Sequence, residues 1–301
     1  MSEHSATSVS SHALVVVTLD SDDDTTRLLD VAMSAGYDAA VVVDCGGTSR
    51  IDDHLPGFGS MKVSVLRPGS NIGYGPGCDL GASHAIEQGA TVLVFANPDI
   101  NCDAATLSAL AFRCKEGELV APVLRRPDGR VFRGGVLNPS SGATAAKPGD
   151  EVTWVSSALA ALTTGDWQAV GGFDPRFFIY WDDVDLCTRF ISSGGRLSID
   201  ERLLVAHRGG GAHRRGRADH FYSFLNCRNR LLYAQKHAES PVELFRWVLG
   251  SVRYVALVSD LPRQGSAGRV VACIAGTLVG LVDFLWRGKW GQPPNILIRR
   301  D

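Results

Sequence analysis

The chain has no CxxC pair and no even set of cysteines: its seven, at positions 45, 78, 102, 114, 187, 227 and 273, are scattered through 301 residues. That pattern offers no zinc site and suits free thiols in a reducing compartment. A surplus of Lys and Arg is missing too. The net charge of −2 argues against a nucleic-acid partner, because neutralising phosphates requires an excess of basic residues. Residues 1–12 are Ser-rich and carry no apolar run, so no signal peptide is expected and they read as a disordered tail. Neither phosphate-loop fingerprint is present. The loop from Asn71 to Gly81 puts Leu80 where GxGxxG needs its last glycine, and GxxxxGKS/T occurs nowhere.

What is present is a normal globular balance, 45% hydrophobic and 21% charged, in a chain long enough for one large α/β domain with an extension. Ala13 to Leu19 is a continuous apolar run, as a strand covered on both faces should be. The acids from Asp20 to Asp24 open a helix that stops at Gly36. Further strands are expected at 39–43, 62–67 and 91–96, with a helix reaching about Gln88 after the third. This alternation predicts an α/β fold with an open, mainly parallel sheet flanked by helices. Ligands of such sheets bind at the carboxyl ends of strands. Asp44, the glycine-rich loop and Asp99 all stand at those ends.

Beyond the first four strands the pattern is looser. Leu119 to Leu124 reads as a strand, followed by a Pro-Asp-Gly turn and a Gly/Ser/Pro-rich loop to about Asp150. Trp154 to Leu162 is a strand or a buried helix turn; periodicity leaves both open. A helix from about Asp183 to Ser193 precedes a strand at 196–199, and Leu203 to Ala206 leads into His207. The Gly/Arg loop after His207 is either a closing flap or a solvated basic loop. Apolar helices are expected at 242–259 and 267–286, the second short for a membrane span. Their basic flanks suit an anionic membrane surface, and a hairpin packed on the main domain or on a partner subunit is the other reading.

Gly171 to Arg189, GGFDPRFFIYWDDVDLCTR, is the stretch with the most chemistry in it. Its aromatic rings can build a rigid wall. Asp182, Asp183 and Asp185 follow at once, and acids this close repel unless a cation, a helix N-terminus or a proton-transfer task holds them. Asp99, fixed by Pro98 at the end of an apolar strand, is placed to hold Mg²⁺ or Mn²⁺ on a diphosphate, or to start the following helix. His207 is a metal ligand or an ordinary half-buried histidine.

Taken in order, Val43-Asp44-Cys-Gly-Gly-Thr-Ser, Asn71-Ile-Gly-Tyr-Gly-Pro-Gly-Cys-Asp-Leu-Gly, Asn97-Pro-Asp99 and the 171–187 segment resemble the family 2 glycosyltransferases of the GT-A fold. The bacterial rhamnosyltransferase-like branch is the nearest in pattern, and Arg228-Asn229-Arg230 is of the kind it carries. The resemblance covers about 13 to 236 and implies a GT-A domain at 13–215 with a helical extension at 216–301. It implies an inverting transfer of a sugar, L-rhamnose from dTDP-rhamnose being the first candidate, to a glycan or lipid-linked acceptor. The partners are then a nucleotide-sugar donor, such an acceptor, the inner-membrane surface and a second copy of the chain, with the protein cytoplasmic and peripheral on that membrane. The alternative is a non-catalytic sugar-nucleotide-binding or scaffold protein on the same fold.

By resemblance Asp183 takes the general-base position, with Asp182 beside it, and Asp44, Asn71, Gly73, Gly75, Gly77 and Asn97 face the donor. Asp99 and His207 take the positions of ligands to Mg²⁺ or Mn²⁺, and Trp181, Asp185 and Trp154 are expected on the acceptor side. Cys45, Gly47, Asp79 and the Val155-Ser-Ser-Ala segment depart from the family pattern.

Overall fold

The computed structural model describes residues 11–46, 51–53, 59–209, 217–259 and 266–285. Strands β1 (His12–Thr18), β2 (Ala39–Asp44), β3 (Lys62–Leu66) and β4 (Val92–Ala96) run parallel. β2 and β4 are buried from end to end, which is why their sequences are unbroken apolar runs rather than alternating ones. Helices α1 (Asp22–Ser34) and α3 (Ala104–Arg113) cover one face through Leu28, Leu29, Leu107 and Leu110. On the other face lie α2 (Tyr74–Glu87), α4 (Thr164–Val170) and α5 (Asp182–Ser192), through Cys78, Ala82, Trp167 and Phe190.

The rest of the sheet is mixed. β10 (Leu159–Thr163) enters antiparallel between β4 and β6 (Glu118–Arg125). β11 (Arg196–His207) runs parallel to β6, and the two-residue β5 (Ile100–Asn101) closes the edge antiparallel to β11. Because β10 runs backwards, its start lies at the same rim as the ends of β1, β2 and β4. Residues 156–158 are thereby delivered to the ligand-binding edge of the sheet.

Four expectations are corrected. His12 already belongs to β1, so the tail is shorter than 1–12; residues 1–10 lie outside the described residues. Within 154–162 only the segment from Leu159 onward is a strand. The strand expected at 196–199 runs on to His207, with an irregularity between Asp200 and Leu204, where Asp200 turns back to accept from the Arg202 N–H. The 125–150 loop contains β7 (Val131–Phe132), paired with β6, and the hairpin of β8 (Gly135–Asn138) and β9 (Gly142–Ala145).

The extension begins with a helix the sequence did not suggest, α6 (Arg217–His237). It is enclosed on several sides, so no single apolar stripe marks it. α7 (Pro241–Ser259) and α8 (Ser266–Leu285) pack on it. Gly280 lets α8 come within a Cβ contact of the Arg228 carbonyl and Leu231, and Arg228 pairs with Asp283 at 3.3 Å across the two helices. The boundary expected at 215/216 lies among residues 210–216, as does most of the Gly/Arg loop, outside the described residues.

Candidate active site

A cleft of about 870 Å³ opens along the strand-end rim, within the range of small-molecule sites. Asp99 and Asp183, far apart in the chain, both line it, together with Asn71, Gly73, Asn97, Trp154, Trp181, Asp182 and His207.

The wall carrying the acids starts as an aromatic loop with an uncommon backbone. Phe178, Tyr180 and Trp181 all have φ near +65°, which costs of order 1–3 kcal/mol each for residues other than glycine. One side chain from α6 compensates. The Asn229 amide, fully buried, donates to the carbonyls of Phe177 (2.6 Å), Ile179 (2.9 Å) and Tyr180 (3.0 Å). Trp181 is the residue at the head of α5, so this loop sets where the helix begins and where Asp182 and Asp183 point. Its indole donates to Asn226 at 2.7 Å and its ring packs on Tyr233 and Trp247. The opposite lip uses Gly73: its φ of +93° belongs to glycine, and a side chain there would run into Phe178.

The two acids at the helix start differ. Asp182 is buried, and its Oδ2 has no hydrogen-bond partner among the described residues. Burial, with the neighbouring Asp183 charge second, pushes its carboxyl well above the ordinary range. Asp183 is partly open to the cleft and accepts from the Val184 N–H at 2.9 Å and from Ser157. Burial pushes it up to about 6 against those bonds. At neutral pH Asp182 therefore keeps its proton, and Asp183 is the member of the pair with a free base.

The other wall follows from strand pairing. His207, the last residue of β11, lies opposite Ile100 in β5, which brings its ring to the residue before Ile100. His207 Nε2 is 3.3 Å from Asp99 Oδ1. The Asn97-Pro98-Asp99 turn is pinned by the Asn97 N–H on the Ala158 carbonyl (2.8 Å) and by Arg27 on the Pro98 and Ile100 carbonyls. Burial works to raise the Asp99 carboxyl, but the His207 hydrogen bond and charge, and Arg208, hold it below the usual range.

Three assignments move. Asp185 is not an acceptor-side group. It is fully buried beneath the helix, between Arg189 (2.8 Å), Lys236 (2.8 Å) and His237 (2.7 Å), and so anchors α5 to α6. Gly75 and Gly77 do not border the cleft: a Cβ at Gly77 would press on Val17 at 2.8 Å and one at Gly75 on Phe173 at 3.0 Å, so they let α2 pack against the sheet and the aromatic loop. Asp44 is buried with its carboxylate on Arg67 (3.2 Å) and the Gly46 N–H (3.0 Å), and the adjacent Cys45 is the residue that borders the cleft. The departure at Asp79 is structural, its carboxylate capping the Phe173 N–H at 2.9 Å.

Other lining residues escaped the sequence: Tyr74, whose hydroxyl donates to the Ser157 carbonyl at 2.6 Å, Ser156, Arg126 and Arg130, and from α6 Tyr222 and Asn226. Tyr74 opens α2, Arg126 and Arg130 lie in the turn from β6 to β7, Ser156 arrives with the reversed β10, and Tyr222 and Asn226 come from α6. Among the described residues no three His, Cys, Asp or Glu side chains cluster as a complete metal cage.

The architecture is the GT-A form of the α/β sheet, a mostly parallel sheet with β10 reversed inside it, short antiparallel strands at its edge and a cleft at its carboxyl rim. No protein-family model matches the chain. The solved structure of glucosyl-3-phosphoglycerate synthase from Mycobacterium tuberculosis with phosphoglyceric acid superposes with a TM-score of 0.50 at 16% identity, covering 75% of this chain and 80% of that one; the likeness speaks for the fold. Two curated relatives come from the same organism. An N-acetylglucosaminyl-diphospho-decaprenol L-rhamnosyltransferase is 29% identical over 172 residues, covering 46% of this chain and 56% of that protein. A pre-mycofactocin glycosyltransferase is 28% identical over 156 residues, covering 48% and 32%. The match thus spans about half the length of the first relative. With the fold, these likenesses support a distant relationship to the family 2 glycosyltransferases.

Two outcomes follow from this geometry. Asn229→Ala leaves three loop carbonyls without their donor and is expected to lower stability by about 1–3 kcal/mol in urea unfolding. Asn229→Asp, which keeps the shape but not the donors, should lose a comparable amount. For Asp182 the folded-state carboxyl is raised, so its stability contribution is full at acid pH and is lost as pH rises through the folded value. Asp182→Asn should therefore show a shallower fall in Tm than wild type between about pH 4 and about pH 8.

Proposed function

We propose that the protein is an inverting glycosyltransferase that moves a sugar from a nucleoside diphosphate donor to an acceptor hydroxyl. The observation that carries this reading is the meeting of Asp99 and Asp183 in one cleft large enough for a nucleotide sugar. The acceptor hydroxyl attacks the anomeric carbon while Asp183 takes its proton. The bond from that carbon to the diphosphate oxygen breaks, and the electron pair leaves with the nucleoside diphosphate. Inversion follows from a single in-line displacement.

Asp182, neutral and buried behind Asp183, adds no second negative charge at the site and so keeps the base from being pushed further up. Asn71, Gly73 and Asn97 border the donor side, with Asp44 behind Cys45 at the nucleotide end. Trp181 and Trp154 stand on the acceptor side.

Asp99 and His207 fit a hard divalent ion as a partial set, one oxygen and one imidazole nitrogen side by side at the cleft. Mg²⁺ and Mn²⁺ accept one or two protein ligands when a diphosphate and water complete the shell. Bound there, the ion would stabilise the charge that develops on the leaving diphosphate. Asp99 and His207 would hold it, while Arg208, paired with Asp24 at the cleft edge, adds positive potential.

One relative is named as an L-rhamnosyltransferase acting on a polyprenyl diphosphate-linked sugar, so dTDP-L-rhamnose and a lipid-linked glycan are the first donor and acceptor to test. A thermal-shift panel of nucleoside diphosphate sugars with and without Mn²⁺ identifies the donor, since a ligand of the native state raises Tm.

Asp183→Asn is expected to cut kcat by roughly 10²- to 10⁴-fold while donor binding is retained. Wild-type kcat should rise with pH through about 6, as Asp183 loses its proton. Asp99→Ala should weaken donor binding in Mn²⁺ and leave it unchanged in EDTA. Retained transfer by Asp183→Asn would sink the assignment of the base.

A further inference from the structure

The outer surface of the α7–α8 hairpin is built the wrong way round for water. α8 turns its small residues inward, with Gly276 against the Phe224 backbone and Gly280 against Arg228 and Leu231. Its large apolar residues point out: Val271 is 65% exposed, Leu278 57%, and Ile274 and Val282 lie on the same side. At positions 271, 274, 278 and 282 the spacing keeps them on one helix face. α7 presents a parallel stripe of exposed Val242, Phe245, Leu249 and Val252. Small residues inside and large apolar ones outside is how helices pack when the surrounding medium is itself apolar. Monomers in water rarely show a continuous apolar patch of this kind.

The charge on this face has one sign. Arg246 and Arg253 are exposed beside the α7 stripe, seven residues and so two turns apart. The acids of the described part of the hairpin are drawn inward. Glu243 accepts from the Trp247 indole at 3.4 Å, and Asp283 is paired with Arg228. In a chain of net charge −2, this is a local positive rim on an apolar surface. No described helix is long and apolar enough to cross a membrane. A symmetric dimer through the same face would gather four guanidiniums at one seam, with no exposed acid from the described hairpin to offset them.

We propose that this face docks in the plane of an anionic bilayer, with Phe245, Leu249, Ile274 and Leu278 among the acyl chains and Arg246 and Arg253 on lipid phosphates. α8 is fixed to α6 by its glycines and by the Arg228–Asp283 pair, and α6 lines the cleft through Tyr222 and Asn226. Docking therefore orients the cleft relative to the lipid surface. Binding of this kind does not depend on which sugar is transferred, or on transfer at all.

Flotation of the full chain with vesicles tests it, using phosphatidylcholine alone and phosphatidylcholine mixed with phosphatidylglycerol, at low and high salt. Binding to the mixed vesicles, weakened by salt, is the expected result. Phe245→Ser with Leu249→Ser should reduce it at least about tenfold, and Arg246→Gln with Arg253→Gln should remove most of its dependence on phosphatidylglycerol, a loss of roughly fivefold or more per arginine. These side chains are exposed, so unchanged Tm in each variant is expected and shows that the fold is intact. Absence of the wild type from both vesicle fractions would overturn the proposal. So would equal, salt-insensitive binding to both lipids, or a wild-type dimer in light scattering that Phe245→Ser with Leu249→Ser converts to monomer.

Discussion

The grip of Asn229 on three carbonyls of the aromatic loop is the constraint from which the rest of the site follows. A run of bulky residues at positive φ does not persist alone, since each prefers another region of backbone space. The buried carboxamide offers two N–H groups to three carbonyls that point the same way only in this conformation. The loop then ends with Trp181 at the head of α5, and the next two residues have nowhere to go but the rim of the cleft. Below them Asp185, held by Arg189, Lys236 and His237, ties the same helix to α6 a second time. The acids are thus positioned by the extension as well as by the sheet on which α5 packs.

Seen this way the two carboxylates at the start of α5 are not duplicates. A helix N-terminus favours negative charge, yet burial outweighs it for Asp182, whose outer oxygen finds no partner among the described residues. Asp183, the next residue, is less buried and has N–H groups to accept from. Two adjacent acids in unequal surroundings divide the work: one stays neutral, the other ionises. The order of burial, and so which of the two acids is free to ionise, is set by the loop that Asn229 shapes.

Much of the sheet was legible in the sequence because its central strands are buried on both faces, and such strands announce themselves as apolar runs. Asp99, Asp182, Asp183 and His207 were legible as chemistry for a different reason: carboxylates beside prolines and rings have few structural uses. What the sequence hid was three-dimensional. Gly75 and Gly77 resemble a phosphate loop in one dimension, but their absent side chains make room for Val17 and Phe173. Asp185 has the spacing of a site acid and the surroundings of a buried ion pair. α6 gave no stripe to read, because the cleft, α7 and α8 each take a different side of it, and buried Arg228, Asn229 and Arg230 look like surface residues in a string of letters.

That same helix explains why the last third of the chain is more than an appendage. One side of α6 supplies Tyr222 and Asn226 to the cleft, another supplies Asn229 to the aromatic loop, and a third meets α8 at backbone contact distance. Anything that holds the outer face of α8 therefore acts on a rigid stack only two helices deep, roughly 8–10 Å per layer. For a transferase whose acceptor is tethered in lipid, such a stack would solve a geometric difficulty. The acceptor head must reach a base that lies away from the surface, at a fixed height and angle. A loose tether would bring protein and lipid together without setting either. A helix pair bolted to the wall of the cleft sets both, and it does so with the residues that already hold the catalytic loop in shape.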